Sequence, residues 1–189
     1  MTGPDIAFDV APGGWRPDDG DAEALCRAAV RAVDRALPGL DLAGWELGIA
    51  LTDDPGIRAL NRDHRGVDRP TDVLSFPLDR PEPDRPAPGG LPGGIPGSLP
   101  VGLLGDIVLS GETLRRDAGR LGRAPADHLT HLVVHGMLHL LGYDHEALPD
   151  AARMEGLEIA ILAGLGVANP YAGPQMAESS LQPLETENA

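Results

Sequence analysis

The sequence is poor in residues that cross-link chains or stack on bases: it has one cysteine, six aromatic residues and no lysine among 189 residues. A single cysteine, Cys26, cannot form an internal disulfide, so we expect a protein of the reducing cytoplasm. The few aromatic side chains offer little surface on which nucleic-acid bases could stack. All fifteen basic residues are arginine, which codon bias explains at least as well as selection for phosphate binding.

Positive charge and long apolar runs are also scarce. The 15 basic residues face 29 acidic ones, and the formal net charge of −14 excludes a protein that coats nucleic acid through a global positive potential. The longest strongly apolar run, residues 159–168, has ten residues, about half of what crosses a bilayer. The first 21 residues lack a basic, apolar leader. We therefore expect no membrane span and no export.

The chain is long enough for one compact domain, and 42% of its residues are hydrophobic. We predict a single domain over residues 1–168. It is interrupted by an insertion at residues 80–100, in which 12 of 21 positions are proline or glycine. Residues 169–189 turn polar and are predicted to form a disordered tail.

Hydrophobic periodicity divides the domain into strands and helices. Alternating apolar residues predict four strands, at about residues 6–10, 45–51, 71–78 and 103–110. Helical spacing and capping signals predict five helices, at about residues 21–37, 55–64, 112–122, 125–141 and 149–165. We therefore predict an α+β fold, in which a small mixed sheet of four strands packs with about five helices.

Five of the six histidines fall within eighteen residues: His128, His131, His135, His139 and His145. Two histidines four residues apart lie on one face of a helix and can bind the same metal ion. His131, His135 and His139 form two such pairs. Residues eight apart are separated by ~12 Å along the helix axis, so one ion takes only one pair.

The glycine at position 142 decides between the pairs, because it lets the chain leave the helix and return His145 beside His139. We therefore predict that His135, His139 and His145 bind one ion on a zincin-like metal-binding helix. Three imidazoles with an open fourth position favour a catalytic zinc ion, which lowers the pKa of a bound water toward ~7. Imidazole ligands also suit nickel, copper and iron, which stay open as alternatives. The two earlier histidines of this helix are interpreted as core or surface residues whose hydrogen bonds are met.

The spacing over residues 135–145 matches that of the metzincin metalloproteases at every defined position but one. Metzincins carry glutamate directly after the first histidine, where it exchanges protons with the bound water and the leaving amine. Here that position is Gly136. An amide is a poor leaving group without that acid, so peptide hydrolysis is disfavoured, although a metallopeptidase stays open as an alternative.

The histidine segment, with the three apolar residues before it, resembles the signature of the YbeY family of bacterial endoribonucleases, which mature ribosomal RNA. Further segments resemble motifs of the same family and follow the family's order. They are Leu60, Asn61 and Arg65 with residues 70–76; residues 105–107; and the closing-helix residues Met154, Glu155, Glu158, Leu165 and Gly166. The resemblance runs from Ile6 to Gly166, with the insertion and the tail as departures from the family.

The resemblance implies a single metal-dependent endoribonuclease domain that cleaves single-stranded RNA in 16S rRNA 3′-end maturation and ribosome quality control. The cofactor is then one zinc ion. The implied partners are rRNA, the small ribosomal subunit and assembly factors such as the GTPase Era, in the cytoplasm, with neither DNA nor a membrane expected. A noncatalytic ribosome-assembly factor with a structural zinc ion is the second open alternative.

Arginines supply the positive charge that such chemistry requires. Arg65 aligns with the characteristic arginine of the family, and we assign it a catalytic role beside His135, as the group that stabilises charge on the phosphate. The arginines at positions 58, 62, 65 and 69 form one stripe if the second predicted helix extends that far. A second basic stretch covers residues 115–123.

Acidic residues near the motifs are candidates for a supporting role. Asp72, Asp106 and Asp144 could orient a ligand imidazole through its other ring nitrogen, or satisfy backbone donors at turns and strand ends. Ser75 is a candidate for lining the substrate groove.

Overall fold

The computed structural model of the chain describes residues 3–12, 14–16, 20–79, 81, 102–145 and 147–172. Within these residues the chain forms four strands and five helices, as predicted, which confirms the α+β class. In chain order they are β1 (Asp5–Val10), α1 (Ala22–Ala36), β2 (Trp45–Thr52), α2 (Asp54–Arg65), β3 (Val73–Pro77), β4 (Gly102–Ser110), α3 (Gly111–Leu121), α4 (Pro125–Leu140) and α5 (Leu148–Gly164). The predicted insertion, apart from Pro81, and residues 173–189 of the predicted tail lie outside the described residues.

The four strands form one mixed sheet in the order β1-β2-β4-β3. Strands β1, β2 and β4 are parallel, and β3 pairs antiparallel with β4 at the edge. Alternation along β2 buries Trp45, Leu47, Ile49 and Leu51 on one face. Parallel neighbours need a crossover between them, and α1 supplies it from β1 to β2.

The histidine helix α4 is the central helix of the fold. It contacts α1, α3, α5 and both strands β3 and β4, and its buried residues include Leu129, Val133 and Met137. Helix α2 lies apart from this core, where Ile57 packs with Leu74 and Val108 in a separate small cluster. None of the described helices is both long and apolar enough to cross a membrane.

Helix α4 approaches the sheet so closely that one of its positions has little room for a side chain. A Cβ atom at Gly136 would lie 3.0 Å from the Ser75 hydroxyl oxygen and 3.2 Å from two carbon atoms of Ile107. These distances are shorter than an optimal contact between carbon atoms. The lack of glutamate after the first ligand histidine therefore has a packing reason.

Helix α2 ends at Arg65 because Gly66 adopts a left-handed conformation, with φ of 70°. The chain then leaves the helical direction, so Arg69 does not share a helix face with the other three arginines, and the condition for a stripe of four is not met. Arg58 and Arg62 are moreover held in ion pairs with neighbouring aspartates.

Candidate metal centre

Three histidine rings converge at the C-terminal end of α4. His135 and His139 lie one turn apart on the helix, and Gly142, with φ of 89°, turns the chain so that His145 returns toward them. One ring nitrogen from each histidine lies within 4.8 Å of the others. The structure thus brings together the three ligands that the sequence predicts.

The geometry of the first pair fits a zinc ion. The distance from His135 Nε2 to His139 Nε2 is 3.1 Å, and two nitrogen ligands that are each ~2.1 Å from a tetrahedral zinc lie roughly 3.4 Å apart. His135 and His139 are half-buried and His145 is exposed. A substrate can therefore approach an ion held by these residues.

The opposite ring nitrogens are held by acceptors, which fixes the orientation of two of the rings. His135 Nδ1 donates to Glu158 Oε1 at 2.7 Å, and His139 Nδ1 donates to the backbone oxygen of Tyr143 at 3.0 Å. With the proton on Nδ1, the lone pair of Nε2 is free to bind a metal. Burial, followed by the charges of the two other histidines, lowers the pKa of His139, which favours the neutral form that a metal requires.

Glu158, on α5, was recognised in the sequence only as part of the closing-helix motif, and its role behind a metal ligand was missed. The residue is fully buried. Burial by itself would raise its pKa, but His131, His135 and Tyr171 around it lower that pKa to about 2, so the carboxylate stays ionised. The sequence contained a signal for it, because a glutamate beside Leu157 and Ile161 on an apolar helix needs a buried partner.

Of the two roles considered for the aspartates near the motifs, the contacts of Asp72 and Asp144 support the satisfaction of backbone donors. Asp72 accepts hydrogen bonds from its own neighbours, Thr71 Oγ1 and Val73 N. Asp106 lies on β4 beside Gly48, and Asp144 accepts from the backbone N–H of His145 at 2.7 Å. None of the three hydrogen-bonds an imidazole nitrogen among the described residues, so no contact there supports the other role, the orientation of a ligand ring.

The two earlier histidines of α4 were interpreted as core or surface residues, and His128 is a core residue. The ring nitrogens of His128 and His131 are buried, and no described residue hydrogen-bonds to them. That their hydrogen bonds are met stays a prediction. His131 Nε2 instead lies 3.8 Å from Glu158 Oε2, and His131, His135 and Glu158 form a second group of donor atoms within 4.8 Å. His135 Nδ1 is already hydrogen-bonded to Glu158. We therefore interpret the second group as a support for the three-histidine site and not as a separate metal site.

Arg65 lies on α2, whereas the three histidines lie on and just after α4. It is exposed at the end of α2 and lines an open cleft of about 1000 Å³ together with His64, Ser75 and Asp106. Unlike Arg58, it forms no ion pair with any residue in the described ranges. Ser75 lines this cleft and also lies against Gly136 of α4, but no described contact joins Arg65 to the three histidines.

Comparison with known proteins assigns this arrangement to a family. The family model of endoribonuclease YbeY matches residues 18–166, which is most of the chain. The chain belongs to the endoribonuclease YbeY family. This confirms the resemblance inferred from the motifs, and the matched residues include the three histidines, Glu158 and Arg65.

YbeY relatives match the chain over most of its length. The endoribonuclease YbeY of Rhodospirillum rubrum is 47% identical over 186 residues, which cover 92% of this chain and 86% of the relative. That of Dinoroseobacter shibae is 50% identical over 158 residues, with 82% and 85% covered. That of Rhizobium meliloti is 43% identical over 177 residues, with 90% and 96% covered.

A solved structure shares the fold of this chain. The solution structure of TM1509 from Thermotoga maritima matches with a TM-score of 0.51 and 21% identity, covering 92% of this chain and 99% of that chain. At this level of identity the likeness supports the fold alone.

YbeY membership disfavours both alternative functions, and the packing around Gly136 bears on one of them. A metzincin-type glutamate at this position would have to push aside the side chains of Ser75 and Ile107, which disfavours a metallopeptidase. The family is one of endoribonucleases, so neither a metallopeptidase nor a noncatalytic assembly factor is favoured.

Proposed function

We propose that this protein is a single-strand-specific endoribonuclease that depends on one zinc ion and acts in 16S rRNA 3′-end maturation and ribosome quality control. The observation that supports the proposal most is the convergence of ring nitrogens from His135, His139 and His145 in a member of an endoribonuclease family. Three neutral imidazoles that leave a coordination position open are typical of a catalytic zinc site.

The residues of the chain divide the work of phosphodiester cleavage. The three histidines hold the ion, which when bound supplies a Lewis acid for a phosphoryl oxygen and lowers the pKa of a bound water. Arg65 supplies a guanidinium group to the phosphate, whose negative charge increases as the bond to the leaving oxygen breaks. No carboxylate is needed at position 136, because an oxygen leaving group accepts a proton more easily than an amide does.

The nucleophile is either a water molecule or the 2′-hydroxyl of the RNA itself. Attack by the 2′-hydroxyl leaves a 2′,3′-cyclic phosphate on one product, whereas attack by water leaves a simple monophosphate. Analysis of the product ends by mass spectrometry therefore separates the two routes.

RNA binding is compatible with a net charge of −14 because the positive charge that would meet the phosphate is a local arginine side chain. Among the arginines of α2, Arg58 and Arg62 are neutralised by aspartates, whereas Arg65 is exposed in the cleft. The acidic remainder of the surface would repel nonspecific polyanions. We further propose that the endoribonuclease domain spans residues 1–168 with the insertion at 80–100. Its proposed partners are the small ribosomal subunit and assembly factors such as the GTPase Era, in the cytoplasm.

Cleavage of a labelled single-stranded RNA by four proteins of measured metal content tests the proposal. We expect His139→Ala to lose both the ion and the activity of the wild type. Arg65→Ala should keep the ion and lose roughly 10²-fold or more in rate, as for other groups that stabilise charge in the transition state. Arg58→Ala is the matched control on the same helix and should retain activity, since its guanidinium is paired with Asp68.

Two substrate controls complete this experiment. Single-stranded DNA of the same sequence should stay intact, and so should an unstructured polypeptide. Proteolysis that depends on His135, or RNA cleavage by His139→Ala at the wild-type rate, contradicts the proposed function.

A further inference from the structure

Residues 169–172, which follow the last helix, fold back against the metal centre. We call this segment the C-terminal strap. It begins with a turn in which Asn169 Oδ1 accepts from the N–H of Tyr171 at 2.8 Å. The guanidinium of Arg123, at the end of α3, donates to the backbone oxygen of Pro170. The strap is therefore anchored to the domain, although it lies past the predicted domain end at 168 and past the residues that match the family model.

The strap places Tyr171 against the residues that support the metal ligands. The hydroxyl of Tyr171 donates to Glu158 Oε2, and its ring meets that of His131 edge-on, with centroids 6.2 Å apart. The other oxygen of Glu158 holds His135 Nδ1. One buried carboxylate thus connects the strap to a predicted metal ligand.

A single hydrogen bond does not fix the plane of a carboxylate. The terminal torsion of a glutamate side chain is broad, so a carboxylate held at one oxygen can rotate. A donor on the second oxygen fixes the plane, and the direction of the bond to His135 follows from it. It also satisfies an oxygen that would otherwise be buried without a hydrogen bond, because His131 lies 3.8 Å away, too far to provide one.

We propose that Tyr171 is a positioning residue for the metal centre, which fixes the carboxylate of Glu158 and, through it, the ring of His135. This inference rests on the proposed metal site of His135, His139 and His145. Tyr171 does not touch the substrate or the ion; its contribution is to the affinity for zinc and to the symmetry of the ligand field.

A double-mutant cycle on zinc affinity tests the inference in the full-length protein. Zinc binding is measured by competition with a chromophoric chelator. Loss of a residue that holds a metal ligand typically lowers metal affinity by 10–100-fold, and we expect a loss of this size for Glu158→Gln. Tyr171→Phe acts one contact further from the ion and should lower the affinity by roughly 3–10-fold. In the Glu158→Gln background, Tyr171→Phe should change the affinity less than about twofold, because the hydroxyl acts through the carboxylate.

Two arginine variants of α3 and its C-terminal end provide a matched comparison. Arg123→Ala removes the anchor of the strap and should weaken zinc binding in the same direction as Tyr171→Phe. Arg120→Ala, near the end of the same helix, removes an exposed side chain that pairs with Asp117 and should leave zinc affinity unchanged.

The cobalt-loaded protein separates positioning from a structural role. We expect Tyr171→Phe to shift the visible absorption bands of bound Co²⁺, because the orientation of one imidazole changes. A role in folding alone would lower the melting temperature of the metal-free protein and leave the cobalt spectrum and zinc affinity as in the wild type; that result overturns the inference. Wild-type protein that binds no zinc would instead overturn the metal site itself.

Discussion

The Glu158 carboxylate accepts a hydrogen bond of 2.7 Å from Nδ1 of His135, so a buried negative charge lies directly behind a predicted metal ligand. The bond fixes the tautomer of the ring and directs Nε2 toward His139 Nε2, 3.1 Å away. It also makes the imidazole a stronger electron donor. The same contact contributes to the packing of the fold, because it joins α4 to α5.

The first prediction concerns the role of this carboxylate in RNA cleavage. Glu158→Gln keeps the shape of the side chain but removes its charge, which should weaken zinc binding. At zinc concentrations that only just saturate the wild type, the variant should therefore lose most of its activity. Added zinc should restore a large part of that activity, because the variant weakens binding of the ion and leaves Arg65 in place. Initial rates across a zinc titration provide the measurement, with Glu155→Gln on the same helix as control. Glu158→Gln with wild-type zinc dependence would contradict this role.

Local patterns in the sequence predicted most of the fold and the convergence of the three histidines. The four-residue spacing of His135 and His139 on a helix and the glycine at 142 are features of neighbouring residues, and both act over one or two turns. Glu158 and Tyr171 are different. Their contacts join residues 23 and 13 positions apart across separate elements, and no local periodicity specifies which helix packs behind a metal ligand.

Short-range backbone preferences decide two alternatives that the sequence left open. Asp72 could orient a ligand ring or satisfy backbone donors, and it accepts hydrogen bonds from its own neighbours, Thr71 and Val73. The stripe of arginines required the helix to extend to Arg69, but the left-handed Gly66 ends it before that residue.

The second prediction concerns pH and the buried histidine His128. Burial, then the charge of His131 and of Arg123, lowers its pKa below the usual 6.5, while Asp72 and Asp117 oppose the shift less strongly. Below about pH 6.5 the unfolded chain therefore binds a proton that the folded protein does not. Stability of the metal-free protein should fall as the pH is lowered through this window, until the folded-state pKa is reached, by at most ~1.4 kcal/mol per pH unit for this group.

Urea unfolding between about pH 5 and pH 8 measures this effect. His128→Leu removes the titrating ring and should weaken the dependence of the free energy of unfolding on pH. Part of this dependence should persist because the pKa of His139 is also lowered. If His128→Leu shows the slope of the wild type, the buried neutral state of His128 is refuted.

The third prediction concerns the only cysteine. Cys26 lies fully buried in α1, and burial, then the nearby Glu23 carboxylate, raises the pKa of its thiol to about 12. Because the thiolate is the reactive species, the native protein should react with a thiol reagent only through unfolding or local opening. We expect one fast-reacting thiol in guanidinium chloride and at least ~100-fold slower reaction without it. Equal rates in the two conditions would mean that α1 does not shield Cys26.

The fourth prediction contrasts two glycines in helices. A Cβ atom added at Gly156, on α5, would meet no atom of another element within 4 Å, so Gly156→Ala should stabilise the protein by about 1 kcal/mol through helix propensity. Gly136→Ala gains the same propensity but compresses the contact with Ser75 and Ile107. Overpacking of a rigid sheet costs about 1–3 kcal/mol, so this variant should be less stable than the wild type. Urea unfolding of both variants provides the comparison.

Gly136→Glu extends the same argument to function. The glutamate would restore the metzincin pattern, yet its side chain would enter the contact between α4 and the sheet, where a buried charge lacks a partner. We therefore expect a loss of stability of more than about 3 kcal/mol and no gain of peptidase activity. A stable Gly136→Glu protein that hydrolyses polypeptide would mean that the close approach of α4 to Ser75 and Ile107 does not limit the chemistry of this site.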